Sequence, residues 1–346
     1  MHMASIRYQD LFKFRSVWMG VAILWVMLYH SELNLSLVSD WKFFGYGGVD
    51  IFFWASGLGC FYSLQKNASP SAFLARRMKR ILPAYYVILA LWLFLQIAVY
   101  HTSITPLEIL SNILCTGVFT GLPNQFNWYV SGVWISYLSA PFLFSFINNS
   151  SRLRRFLLLF LLFLGSFTFL NSGWNAMLTS TRLPLFYLGM LFAKEAQEHD
   201  TIKGTSLIGC FVFSIVGAVI LLFCRSFANE ALTNLGMWWY PFFLITPGLC
   251  FALSLLCMWL QRFFSWPVTL LAGIGSCSFE LYLTHLTVFT IIVYLRESGI
   301  YQPNNTFWCL TFLGCCLFAI LLRKLMRLLD FLLRPRRTIE SLNQSV

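Results

Sequence analysis

Long apolar runs separated by short polar segments fill the chain, and their lengths predict its architecture. Hydrophobic windows place helices near residues 17–33, 47–64, 81–100, 126–147, 156–171, 183–193, 206–227, 237–258, 268–295 and 304–326. Most approach the roughly 20 residues that carry a helix across a hydrocarbon layer about 30 Å thick. Unbroken runs such as 81–99, 156–170 and 206–224 suit helices, which satisfy backbone hydrogen bonds within the segment, and do not suit alternating strands. The pattern predicts an all-α polytopic membrane protein with about ten transmembrane helices. Span 183–193 is short unless 176–182 or 194–197 extend it. Region 101–125, with His101, Pro106, Glu108 and Pro123, reads as a loop holding a short or re-entrant helix.

Charge then sets the orientation. With a cytoplasmic N-terminus, ten crossings put twenty of the 24 Lys and Arg residues on the inner side, among them Arg15, the cluster Arg76–Arg80 and the run from Arg323 to Arg337. Only Lys42, Arg182, Arg225 and Arg296 fall outside. The asymmetry obeys the positive-inside rule, so both termini are expected in the cytoplasm and the protein in the plasma (inner) membrane.

Composition agrees with this picture. Apolar residues make up 58% of the 346 and charged residues 11%, far below the quarter or so of a soluble domain. The net charge of +11 would suggest a nucleic-acid partner in a soluble protein; here the cations sit beside a lipid surface, and no nucleic acid is expected. One membrane domain is expected over 1–333. A short basic and polar cytoplasmic tail follows over 334–346, either leaning on anionic lipid or solvated. The first fifteen residues are polar and basic, and no small-residue cleavage site follows them, so no cleavable targeting peptide is expected. The ten cysteines lack paired ligand spacing and read as packing residues, with no metal expected.

Ionisable groups inside hydrocarbon cost a few kcal/mol each, which singles out the polar positions within the spans. His30 closes the first helix and is either an interfacial residue or a general base, with Asp50 at the start of the second helix able to orient its ring. Ser56, Cys60 and Ser63 form a small-residue stripe suited to close helix packing. Arg76-Arg77-Met78-Lys79-Arg80 is either a topology anchor or an anion site, since Arg77 and Arg80 share a helix face and can grip phosphate through bidentate hydrogen bonds. In the ninth span, Ser278, Tyr282 and His285 make one polar stripe and Glu280, Thr284 and Thr287 another. Two such stripes suit a helix beside a polar cavity, where His285 is either satisfied by neighbours or chemically active.

Taken in order, these segments resemble the acyltransferase-3 family of integral membrane acyltransferases over nearly the whole chain. The segment ending Leu28-Tyr29-His30 is similar to that family's first helix and its essential histidine. Gly48-Val49-Asp50-Ile51-Phe52-Phe53 with Ser56-Gly57 resembles its second-helix signature, and Arg77-x-x-Arg80 before Ile81-Leu82-Pro83 its paired-arginine motif. Trp128 through Tyr137 to Pro141, Phe186 through Gly189, and Ser278 through Tyr282 to His285 fall in the family's order. Two positions depart from it. Met19 stands where many members carry an arginine, with Arg15 one helical turn earlier, and Val133 stands where many carry a glutamate. No extra hydrolase-like domain is expected.

The resemblance implies transfer of an acyl group, most often acetyl, from a cytoplasmic acyl-coenzyme A to a hydroxyl of a cell-envelope glycan or lipid-linked sugar. It implies His30 and Asp50 as catalytic residues, Arg77, Arg80 and Arg15 as the donor site, and Trp128, Ser278, Glu280, Tyr282 and His285 around the acceptor. The rival from another class is a proton-coupled transporter or flippase that uses the same polar residues as a relay. The charge asymmetry carries the topological prediction: reporter fusions at either terminus should report the cytoplasm, and labelling of a terminal tag by impermeant reagents from outside would overturn it.

Overall fold

The computed structural model describes residues 6–33, 39–227 and 230–332, so the tail expected over 334–346 lies outside the described residues. Among the described residues the regular structure is helical, and the principal helices are α1 (Arg15–His30), α2 (Gly48–Lys66), α3 (Pro70–Phe94), α4 (Pro106–Ile113), α5 (Trp128–Asn149) and α6 (Arg152–Phe167). They continue with α7 (Trp174–Ser180), α8 (Leu183–Glu198), α9 (Gly204–Phe227), α10 (Pro241–Leu260), α11 (Trp266–Ser276), α12 (Ser278–Glu297) and α13 (Asn305–Leu332). The chain is an all-α polytopic membrane protein.

Local chemistry starts several of these helices. Ser69 accepts from the backbone N–H of Ala72, and Pro70 fills the first helical position, where its missing N–H costs nothing. Thr105 and Glu108 form a capping box that begins α4 within the region read as a loop. Asn127 accepts from the N–H groups of Tyr129 and Val130 and so fixes where Trp128 enters α5.

Among the described residues, eight helical segments are long and apolar enough to cross a bilayer: 8–30, 70–99, 128–149, 174–198, 204–227, 241–260, 278–297 and 305–332. Two of the ten expected spans fall short of that measure for physical reasons. Helix α2 carries Asp50 and is buried on nearly all sides, so it has little need of an apolar surface. Helix α6 is only 16 residues long and begins with Arg152, Arg154 and Arg155. The short span 183–193 is extended in both directions, as α7 and α8 run nearly continuously through Trp174–Glu198. In contrast, the single span expected over 268–295 is broken. Cys277 leaves the helical conformation, α11 ends at Ser276, and α12 starts afresh at Ser278.

Burial separates centre from rim. Of the most apolar stretch of 174–198, 67% is buried, against 22% in 204–227 and in 305–332, so α8 is central while α9 and α13 present their sides to lipid. Two crossings at glycine bring the central helices close. A Cβ at Gly275 of α11 would collide with the carbonyl of Ser16 in α1, and one at Gly20 with the carbonyl of Leu271. On the other side of the core, Gly57 of α2 packs on the Phe186 carbonyl and Gly189 of α8 on that of Trp54. The close packing expected of Ser56 thus belongs to its neighbour Gly57.

Substituting Gly275→Val should therefore destabilise the bundle by about 1–3 kcal/mol through overpacking. Gly273→Ala, on the same helix but with open space around its Cβ position, should leave the melting temperature in detergent unchanged. Equal melting of the two variants would exclude the crossing as a stabilising contact.

Candidate active site

Helices α1 and α12 run in one direction through the core and α2 in the other, which gives the bundle an end with arginines and an end with histidines. At the first, Arg15 of α1, Ser56 of α2, Arg77 and Arg80 of α3, Tyr137 of α5 and Ser278 of α12 line one cavity, together with Phe52, Tyr129 and Tyr282. The Arg77 guanidinium donates to the carbonyl of Gly59 at 3.2 Å and lies over the rings of Phe73 and Tyr137, 5.1 and 5.0 Å from their centroids. That of Arg15 rests against Gly59, where a side chain would displace it, and its Nε is buried without a hydrogen-bond partner. Among the described residues, none of these three cations lies within ion-pair distance of a carboxylate. Gathering like charges without counter-ions costs free energy, and an anionic ligand offsets it.

The two departures from the family pattern meet here. Met19 and Val133 both line this cavity, and Arg15 reaches it from one turn below Met19. Ser278 and Tyr282, expected beside the acceptor, also belong to the arginine cavity.

At the other end, the rings of His30 and His285 lie 5.4 Å apart at 51°. Each Nδ1 sits 3.0 Å from the carbonyl four residues earlier, Val26 for His30 and Leu281 for His285. A carbonyl only accepts, so in each neutral ring Nδ1 carries the proton and Nε2 keeps its lone pair. His30 is exposed, whereas His285 is fully buried with its Nε2 unpartnered. Tyr29 and Tyr46 form an aromatic rim beside His30: the Tyr29 ring lies 5.0 Å from the His30 ring and 5.5 Å from that of Tyr46, whose hydroxyl donates to the Trp238 backbone carbonyl at 2.8 Å.

Asp50 does not orient His30, contrary to the sequence-based expectation. It faces Arg182, with Nη2 and Oδ2 3.3 Å apart, and both side chains are buried. Arg182 also donates to the carbonyl of Leu178 at 3.0 Å and to the Thr181 hydroxyl at 3.3 Å, and its guanidinium lies 5.1 Å over Trp128. Trp128 is thus a platform for Arg182. Counted with the outer loops from sequence, this arginine is a core residue at the junction of α7 and α8. The Thr179-Ser180-Thr181 and Pro184 around it read as a loop, so the sequence carried no signal of its burial. The second polar stripe of α12 is quieter than expected. Thr284 and Thr287 return their hydroxyls to the carbonyls of Leu281 and Leu283, and Glu280 is half-buried away from the cavity.

Elsewhere, Glu195, Glu198 and His199 lie close enough to share an ion. The two carboxylates already meet Arg152, Arg155 and Lys194 at 3.9, 3.2 and 3.4 Å.

The family model of the acyltransferase-3 acyltransferase domain matches residues 18–324, nearly the whole chain and all of the two-ended site apart from Arg15. The chain belongs to the acyltransferase-3 family. Neither a curated protein nor a solved structure matches it. Membership decides between the two classes that the polar residues left open: this is a membrane acyltransferase, and the arginine cavity and histidine pair are its two candidate centres. The Asp50–Arg182 pair of the acyltransferase lies between α2 and the α7–α8 junction, and removing one member would leave the other charge buried.

Arg182→Met should therefore lower stability by about 3–5 kcal/mol, and Asp50→Leu combined with Arg182→Met should recover most of the loss. Thermal unfolding of the detergent-solubilised protein reads both. Wild-type stability of the single variant would show that the pair is structurally dispensable.

Proposed function

We propose that the protein transfers an acyl group, acetyl in the first instance, from cytoplasmic acyl-coenzyme A to a hydroxyl of a cell-envelope glycan or its lipid-linked precursor. The carrying observation is the spacing of the two centres. Arg15 and His30 are the two ends of α1, fifteen residues or about 22 Å apart. A donor that is phosphorylated at one end and bears a thioester at the end of a long flexible arm suits such a separation. Ten crossings in the plasma membrane, with α2 and α6 as the two additional spans, would put the arginine end in the cytoplasm, where acyl-coenzyme A is available.

In this reading Arg15, Arg77 and Arg80 hold the phosphates by charge and by their planar donor forks, and Ser56 and Ser278 add hydroxyls along the arm. At the far end the rim of Tyr29 and Tyr46 takes the sugar, whose apolar ring face suits an aromatic surface. His30 Nε2 removes the proton of the acceptor hydroxyl as its oxygen bonds to the thioester carbonyl carbon. The carbon–sulfur bond then breaks, and the imidazolium returns the proton to the departing thiolate. His285, held in the same tautomer beside it, positions the first ring. Asp50 acts through Arg182 and Trp128 by fixing the wall of this end. No metal enters the scheme.

Radiolabelled acetyl-coenzyme A, added to membrane vesicles containing the protein, tests the assignment. His30→Ala should lower acetyl incorporation by about 10²–10⁴-fold with donor binding retained. His285→Ala should leave measurable turnover. The Arg77→Ala, Arg80→Ala double variant should weaken donor binding, and Arg80→Lys should do so in part because lysine keeps the charge and loses the fork. Wild-type transfer by His30→Ala would remove it as the base, and unchanged donor affinity in the double variant would reduce the arginines to topology anchors.

A further inference from the structure

Helix α4, in the segment 101–127 that joins α3 to α5, is amphipathic in the sense opposite to that of a helix on a soluble protein. Glu108, Ser111 and Asn112 are buried against the bundle, whereas Leu107, Leu110, Ile113 and Leu114 point away from it and are between 42% and 60% exposed. Phe119, in the short helix Gly117–Thr120 that follows, is exposed as well. This apolar face adjoins that of α3, where Tyr86, Phe94 and Ile97 are exposed.

Contacts with α3 fix the depth at which α4 lies. The hydroxyls of Tyr85 and Tyr86 donate to the carbonyls of Asn112 and Ile113 at 2.8 and 3.1 Å. Along α3 and its continuation to Val99, these tyrosines stand about 8 Å of helix beyond Arg80 and about 20 Å short of Val99. The C-terminal end of α4 is therefore level with the interior of the layer, about 30 Å thick, that α3 crosses.

The backbone of α4 is finished as hydrocarbon requires, since a helix end in water leaves its last four carbonyls to solvent and a helix end in lipid cannot. Leu110 accepts from the N–H of Leu114, Ser111 from the N–H and the hydroxyl of Thr116, and Asn112 and Ile113 from the two tyrosines. Glu108 is the one Asp, Glu, Lys, Arg or His over 102–127, and it stands in the first turn of α4, where the N–H and hydroxyl of Thr105 and the amide of Asn124 all donate to its carboxylate. Asn112 ties the two limbs of the segment together, donating to the Asn124 carbonyl at 2.9 Å and accepting from the Phe126 N–H at 2.7 Å.

We propose that segment 101–127 is re-entrant: it enters the bilayer beside the Val99 end of α3, presents Leu107, Leu110, Ile113, Leu114 and Phe119 to lipid acyl chains, and turns back without crossing. The number of crossings is unchanged by it. Helix α5 then starts at the depth of Asn112, inside the bilayer, which is what allows Trp128 to underlie Arg182 and Tyr129 to pack on Tyr282.

Photo-cross-linking of the full chain in phospholipid vesicles tests the proposal. Benzoylphenylalanine is placed singly at Leu110, Leu114 and Phe119, with Ile97 on α3 as the lipid-facing reference and Gln302, in the connection before α13, as the solvated one. Illumination at the first three positions should give phospholipid adducts in the yield found at Ile97, located on acyl-chain carbons by mass spectrometry, and Gln302 should give none. Absence of adducts at Leu110 and Leu114, or adducts confined to the headgroup, would overturn re-entry and leave a segment lying on the membrane surface. Cross-linked dimers at these positions would overturn it in favour of contact between two copies of the chain. Amide hydrogen exchange of the unmodified protein in the same vesicles gives a second reading in which no substitution can disturb insertion. The amides of 109–116 should exchange as slowly as those of α3, and exchange as fast as that of the 301–304 connection would overturn the proposal.

Discussion

Ionisable side chains persist inside a membrane bundle only where neighbouring helices shield them from lipid and supply their partners, and here the shielding comes from close helix crossings. Glycines at 20 and 275 let α1 and α11 approach to backbone contact, and those at 57 and 189 do the same for α2 and α8. With side chains at these points the helices would stand apart, and the core would open to lipid tails. Because they do not, α2 is surrounded by protein and can carry Asp50 at its start. The carboxylate then meets Arg182 from the α7–α8 junction, whose guanidinium is fixed by a carbonyl, a hydroxyl and the face of Trp128.

The same packing explains why the site has two ends. Residues at opposite ends of one rigid helix cannot approach each other, so the arginine Arg15 and the histidine His30 are held about 22 Å apart by α1 itself. Helix α12 repeats the arrangement over a shorter reach, with Ser278 and Tyr282 in the arginine cavity and His285 beside His30. The break at Cys277 sets this register: α12 begins at Ser278, so its first turns face the cavity. Arg323 of α13 closes the break by donating to Ser276 Oγ at 2.6 Å and Cys277 Sγ at 3.2 Å. What lies between the two ends is aromatic, with Phe52, Tyr129 and Tyr282 packed on one another.

The two histidines illustrate how backbone geometry fixes a side chain's tautomer. In each, the carbonyl one turn earlier claims the Nδ1 proton and leaves the Nε2 lone pair available. No carboxylate is needed to choose the tautomer, which accounts for Asp50 being free to serve elsewhere. Burial makes the pair unequal. His285 has no access to water, and His30, at the helix end, is open to whatever approaches from that side.

Hydrophobic run length determined the class of this protein from sequence alone, because a chain so poor in charge can satisfy its backbone in lipid only as helices. The ordered motifs determined the family, and the spacing of Arg77 and Arg80 placed them on one helix face before any contact was known. Sequence did not determine which helices are lipid-facing and which are enclosed, since apolarity is the same requirement in both settings; hence α2 fell below the hydropathy of a typical span. Nor could it assign Arg182, whose partner lies 132 positions away at Asp50, or separate Gly57 from Ser56 as the packing residue, which depends on helix rotation. The rings of Phe52, Tyr129 and Tyr282 come from three helices and meet only in the folded bundle. Properties fixed by neighbours along one helix were legible in the sequence, whereas those fixed by neighbours across helices were decided by the tertiary structure, because interhelical pairing leaves no period in the chain.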